Sequence, residues 1–231
     1  VVLTGAQRPI FEVRTDARNN LVDAFNIATL AVPEVGIAFA HKFLRGCRST
    51  KLDAWGLDAF ATPLCQPLVE LGLGVMVGSH VLPPRVSGAF DPRIDPHVLC
   101  FRLFPGFKPV MIEDAIENGV HGIVLEAYGI GNVPKMEGTL IPAIEAAVSQ
   151  QVPVVIVSQC PRGGVDLDRY RGSVAARDAG AISGGDMTTE AALTKLMVLL
   201  GRAPKNRILD YVSKSFRRPL LGEMSKDLQF G

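Results

Sequence analysis

Residues 122–158 read GIVLEAYGIGNVPKMEGTLIPAIEAAVSQQVPVVIVS, and the fold turns on this stretch. Gly122–Ala127 is a short run, apolar except for Glu126, that breaks at once into the turn-forming residues Tyr128-Gly129-Ile130-Gly131-Asn132-Val133-Pro134. Leu140–Ser149 has helical spacing, and Pro153–Ser158 (PVVIVS) is a second apolar run. Short continuous apolar runs fit strands covered on both faces, and a helix between two of them makes the strands parallel.

The same alternation extends outward. Before this stretch, Val98–Phe104 reads as a strand and Pro109–Asn118 as a helix, with Gly119 as its stop. After it, Val174–Ala179 is helical and Gly180 closes it. Asp186 is expected to cap a helix whose core face is Leu193, Leu196, Met197 and Leu200, with Gly201 as its stop, and a last helix spans about Lys205–Phe216.

The first third of the chain repeats the pattern. Val1–Leu3 reads as a strand ending at Thr4-Gly5. Asp16 reads as an N-cap before a helix with Leu21, Ala24, Phe25 and Ala28 on its apolar face, and Pro33 ends that segment. Glu34–Ala40 reads as a second buried strand, and Lys42–Lys51 as a polar, turn-rich stretch. Residues 61–97 differ, with prolines at 63, 67, 83, 84, 92 and 96 and glycines at 72, 74, 78 and 88; this predicts a crossing connection with at most short strands. The expected fold class is α/β, with two domains at 1–92 and 93–231 and a linker at about 61–97.

Composition narrows the function. With 24 basic and 23 acidic side chains in 231 residues, the net charge of +1 and the lack of a basic block argue against nucleic acid as a partner. Mean hydropathy is +0.24, yet no run approaches the ~20 apolar residues of a membrane span, so no membrane partner is expected. Cys47, Cys65, Cys100 and Cys160 are far apart, as are His41, His80, His97 and His121, so neither disulfide staples nor a metal site is expected. The thiols fit a reducing compartment.

In open α/β sheets, ligands bind at the carboxyl ends of the strands, so the loops after strands carry the candidate chemistry. Gly129-x-Gly131 follows a strand as in a dinucleotide motif, but the third glycine is absent and Pro134 falls where a helix should start; a tight turn is the better reading. Ser158 and Cys160 lie beyond the apolar strand, but there is no Gly-x-Ser-x-Gly elbow and no Cys/His pair. Lys51 closes a loop dense in Arg45, Arg48, Ser49 and Thr50. Burial or neighbouring cations would make it a proton acceptor; the alternative is an exposed lysine paired with Asp53.

Six segments resemble a known family in order: VVLTGAQRP, RTDARNNLVDAF, LRGCRSTKLDAWGLDAF, LEAYGIGNVP, VSQC and GAISGGDMTTEAALTKLMVLLG, covering residues 1 to about 201. The chain resembles the bacterial-type L-asparaginase family, in particular its cytoplasmic type I branch. The resemblance implies two Rossmann-like or flavodoxin-like parallel-sheet domains and hydrolysis of L-asparagine to aspartate and ammonia, with no cofactor. It implies a threonine nucleophile in a Gly-Gly-Thr-Ile-like loop and a Thr-Lys-Asp relay whose lysine is Lys51. It assigns the backbone carbonyl of Ala6 to the substrate amide, and gives Asn132 and Tyr170 to the site of a neighbouring subunit in a homodimer or homotetramer. Cytoplasmic localisation comes with the type I branch.

Neither Gly-Gly-Thr-Ile nor Gly-Thr-Asp-Thr occurs in the sequence. In the family both precede the strand that here begins at Val1. The expectation is therefore an N-terminal domain incomplete at its start and a chain that is inactive alone. Two alternatives stand beside this reading: an asparaginase-like subunit of a tRNA-dependent amidotransferase, and a non-catalytic small-molecule-binding module.

Overall fold

The computed structural model describes residues 1–84, 90–134 and 138–226. The middle of the expected linker, residues 85–89, lies outside the described residues. The chain forms two compact units, Val1–Ala89 and Phe90–Gly231. In chain order the elements are β1 (Val2–Thr4), α1 (Ala17–Ala28), β2 (Gly36–Phe39), β3 (Lys42–Arg45), a 3-10 turn (Gly46–Arg48), β4 (Thr50–Lys51), β5 (Phe60–Ala61), β6 (Val69–Leu71), β7 (Val75–Val77), β8 (Val98–Arg102), α2 (Val110–Glu117), β9 (Gly122–Ala127), α3 (Ile141–Ser149), β10 (Val154–Ser158), α4 (Arg171–Asp178), β11 (Ile182–Ser183), α5 (Thr189–Arg202) and α6 (Ile208–Phe216).

The second unit follows the sequence pattern closely. Its sheet has the order β11-β10-β9-β8, and every pairing is parallel. Alternation along the strands divides the core in two. Ile123 and Leu125 of β9 and Val154 and Ile156 of β10 pack with Ile112 and Ile116 of α2 and Ala143, Ile144 and Ala147 of α3. Val124, Val155 and Val157 pack instead with Leu196, Leu199 and Leu200 of α5 and Val212 and Phe216 of α6. Each fully buried Val, Leu, Ile or Phe among these contributes about 1.5–3 kcal/mol, which favours covering both faces of this sheet.

Two details of α5 differ from expectation. Its cap is Thr188, whose side chain accepts from the Ala191 N–H at 3.2 Å. Asp186 turns away and accepts from Ser225 N at 2.8 Å and Ser225 Oγ at 2.6 Å, which ties down the C-terminal tail. Gly201 does not stop the helix, which runs to Arg202; a Cβ there would stand 2.6 Å from Ile94 Cα, so the glycine permits a close backbone crossing. The tail is also held by buried Lys195, which donates to Phe216 O at 2.9 Å and Arg218 O at 2.7 Å and pairs with Glu223 at 2.7 Å.

The first unit has a mixed sheet, in the order β1-β2-β3-β6-β7. Only β1 and β2 are parallel; β2–β3, β3–β6 and β6–β7 are antiparallel. The stretch Lys42–Arg45, read as loop, is thus a strand, and residues 61–97 supply a hairpin to the sheet. The departure starts at Ala40 and His41, whose φ values of 47° and 63° make the two-residue turn between Phe39 and Lys42. Tight hairpins of this hand usually carry Asn-Gly or Asp-Gly, and Ala-His gives no such signal.

The apolar face of α1 is also rotated from the expected one. Asn20, Ala24 and Ile27 are buried, whereas Leu21, Val22 and Phe25 are exposed, Phe25 at 69%. Phe11, Val13 and Trp55 are exposed as well. Among the described residues, no helix is long and apolar enough to cross a membrane.

Candidate functional site

The first unit brings together the loop after β1 and the loop around β4. Asp16 stands at the N-cap position of α1 but its side chain makes no cap bond. It reaches back instead, accepting from the N–H of Gln7 and of Arg8, each at 3.0 Å, and from Asn20 Nδ2 at 3.1 Å. Burial alone would raise this carboxyl, but the Gln7 and Arg8 N–H groups and Asn20 outweigh it and hold it below the ordinary aspartate value. Asn20 Nδ2 also donates to Gly5 O at 2.9 Å, and Asn20 Oδ1 accepts from Ala40 N at 3.1 Å. Gly5, Gln7 and Arg8 are therefore pinned, with exposed Ala6 between them.

Gln7 makes the link to the second loop. Its Nε2 donates to Gly56 O at 3.0 Å and to Ala54 O at 3.3 Å, while its Oε1 accepts from Lys51 Nζ at 2.9 Å. Lys51 lies at the end of β4, exposed, with its ammonium 5.7 Å from the centroid of the Phe60 ring. Asp53 is not its hydrogen-bond partner. That carboxylate accepts from Gly56 N at 2.9 Å and Trp55 N at 2.8 Å, and these bonds hold it below the ordinary value. Arg45 is not part of the loop's exposed charge either: it is buried against Glu34, with Nη2 to Oε1 at 2.9 Å.

In the second unit the turn that carries Asn132 lies against the first turn of α4, which Tyr170 precedes. The loop after β9 is a closed turn, with Asn132 N donating to Tyr128 O at 2.9 Å and φ of 50° at Gly129 and 103° at Gly131. Ser158 Oγ donates to Gly129 O, and Ser173 Oγ donates to Gly131 O at 3.0 Å. Tyr170 occupies the N-cap position of α4, which starts three residues earlier than the expected Val174, and its side chain is exposed. Gly172 lies against the Asn132 turn, where a Cβ would meet Val133 O at 2.5 Å. Gly129-x-Gly131 thus closes a turn rather than opening a helix; α3 begins only at Ile141.

Residues 1–81 match the family described as Asparaginase, N-terminal, and residues 97–209 match that described as Glutaminase/Asparaginase C-terminal domain. An L-asparaginase of Thermococcus kodakarensis is 38% identical over 231 residues, covering 97% of this chain and 67% of the relative. The chain belongs to the L-asparaginase family. L-asparaginase 1 of Escherichia coli (strain K12) is 32% identical over 98% of this chain and 67% of its own length. The solved structure of the thermostable L-asparaginase from Thermococcus kodakarensis superposes with a TM-score of 0.87 at 37% identity, again over 97% of this chain and 67% of that one. The chain thus spans about two thirds of the length of these asparaginases, and its two-sheet α/β architecture is theirs.

Sequence reading singled out Lys51 and Ala6 but not the residues that join their loops. Gln7 could be found in the quoted loop but gave no sign of its partner 44 positions away. Asp16 gave a signal with another meaning, since an aspartate before a helix reads as a cap.

Proposed function

We propose that this chain forms part of an L-asparagine amidohydrolase in which Lys51 passes protons and the carbonyl of Ala6 orients the substrate amide. The observation that supports it best is the 2.9 Å bond from Lys51 Nζ to Gln7 Oε1, which places the loop of the proposed relay lysine beside the loop of the proposed substrate carbonyl. In this reading a threonine hydroxyl attacks the side-chain amide carbon of asparagine and loses its proton to the relay through Lys51. The relay returns that proton to the amide nitrogen, and the tetrahedral intermediate collapses to an aspartyl ester as ammonia leaves. Water then hydrolyses the ester to aspartate and the free threonine.

The threonine and the Thr-Asp pair of the relay are not found as motifs in these 231 residues. We therefore expect them to come from polypeptide outside the residues given, and Asn132 and Tyr170 to face the site of a second subunit in a cytoplasmic homodimer or homotetramer. Residues 1–92 and 93–231 would act as its two domains. The test is ammonia release from L-asparagine by residues 1–231 alone. No release above that of a Lys51→Ala variant is expected. Turnover that Lys51→Ala abolishes would show the chain complete for catalysis and overturn the external nucleophile.

A further inference from the structure

The proposed asparaginase chemistry lies in loops at the carboxyl ends of strands. The opposite edge of the parallel sheet in the second unit carries a cluster that the sequence scatters. His97 precedes β8 and His121 precedes β9, so parallel pairing of these strands sets the two histidines side by side. His121 N donates to His97 O at 2.7 Å, and the ring centroids are 4.9 Å apart. The Asp95 carboxylate bridges the two rings. Its Oδ1 is 2.8 Å from His97 Nδ1 and its Oδ2 is 2.7 Å from His121 Nδ1. Asp95 is itself fixed, its N–H donating to Met197 O of α5 at 2.9 Å and its Oδ1 accepting from His97 N at 3.0 Å.

We propose that Asp95, His97 and His121 form a binding site for one divalent transition-metal ion of the zinc class. One ligand atom from each residue can be chosen so that all lie within 4.8 Å of one another. Bonds of ~2.0–2.1 Å in a tetrahedral site put ligand atoms about 3.3 Å apart, so small side-chain rotations close the set. Two imidazoles and a carboxylate suit Zn²⁺, Co²⁺ or Ni²⁺, whereas Mg²⁺ and Ca²⁺ take oxygen ligands. Three protein ligands leave a fourth position for water or a small anion. The three residues also line a cavity of about 750 Å³ with Gln150, Gln151 and Lys205, so there is room for that ligand.

Exposed carboxylate–imidazole pairs contribute only ~0–1 kcal/mol to folding, so stability alone gives little reason to hold two rings on one carboxylate. The backbone bonds from β8, β9 and α5 hold the three residues in place before an ion arrives. Protons compete for the imidazole nitrogens, so binding weakens as the pH is lowered.

The experiment is a titration of the metal-stripped chain with Co²⁺ near neutral pH, followed by visible absorption and by competition with Zn²⁺. One equivalent is expected to give tetrahedral Co²⁺ bands that Zn²⁺ displaces. His97→Gln, His121→Gln and Asp95→Asn should each weaken binding about tenfold or more. Both histidines are exposed, so their variants keep the fold, which far-ultraviolet circular dichroism checks. Absence of stoichiometric binding overturns the proposal, as does binding unchanged in His121→Gln. A thiolate-to-cobalt charge-transfer band at the first equivalent would place the ion on cysteine and overturn it too.

Discussion

The two larger sheets of this chain are packed to different extents. β10 is buried from Val154 to Val157 and has a cluster of side chains on each face. In the first unit β2 and β3 are mostly buried but all three residues of β7 are exposed, and the cluster built on Ala24, Ile27, Ala38, Phe43, Leu68 and Val69 is smaller. The second unit takes its stability from a parallel sheet covered on two sides. The first unit combines a smaller apolar cluster with polar bonds that fix two loops. Where covering is complete, hydrophobic pattern dictates structure; where it is partial, turns and side-chain bonds decide.

The contrast can be tested by substitution, and the largest effect is expected in the two-sided core. Ile156→Ala, at a fully buried position of β10, should cost about 2–5 kcal/mol in urea unfolding. Next comes the polar frame of the first unit. Asp16→Ala strands the Gln7 and Arg8 N–H groups and should cost about 1–3 kcal/mol, with faster amide exchange at both residues. Because the Asp16 carboxyl is held below its unfolded value, its contribution is fully present above the unfolded aspartate range. It is lost as pH falls through the lower folded value. In an acid titration, the amide signals of Gln7 and Arg8 should move in that low window, and Asp16→Asn should abolish the movement.

Smaller changes sharpen the picture. Thr188→Ala removes the cap of α5 and should cost about 1 kcal/mol. Phe25→Ser, on the exposed face of α1, should change stability by less than ~0.5 kcal/mol. A loss at Phe25 comparable to that at Ile156 would break the contrast between the two units.

The same contrast explains what could be read from sequence. The alternation at residues 98–158 gave strands and helices within a residue or two, because continuous apolar runs leave few other arrangements. Gly119 and Gly180 marked helix ends correctly, each with positive φ. In the first unit, Leu21 and Phe25 fit a helical stripe as well as Ile27 does, and only the tertiary structure selects the buried face. The hairpin at Ala40-His41 was hidden because its residues are not the usual turn formers. Lys51 and Ala6 were named through resemblance, but the Gln7 bridge between their loops is a long-range contact that periodicity cannot reveal. Asp95 and His97 stand two residues apart, but His121 joins them only because β8 and β9 run parallel in register.

We propose that Lys51 moves protons in asparagine hydrolysis. Its most direct test is steady-state ammonia release from L-asparagine by an enzyme that combines residues 1–231 with polypeptide carrying both threonine motifs. Lys51→Ala should lower kcat by about 100-fold or more while leaving KM nearly unchanged, as expected for loss of a proton-transfer group. A Lys51→Ala enzyme that keeps its kcat would contradict the account.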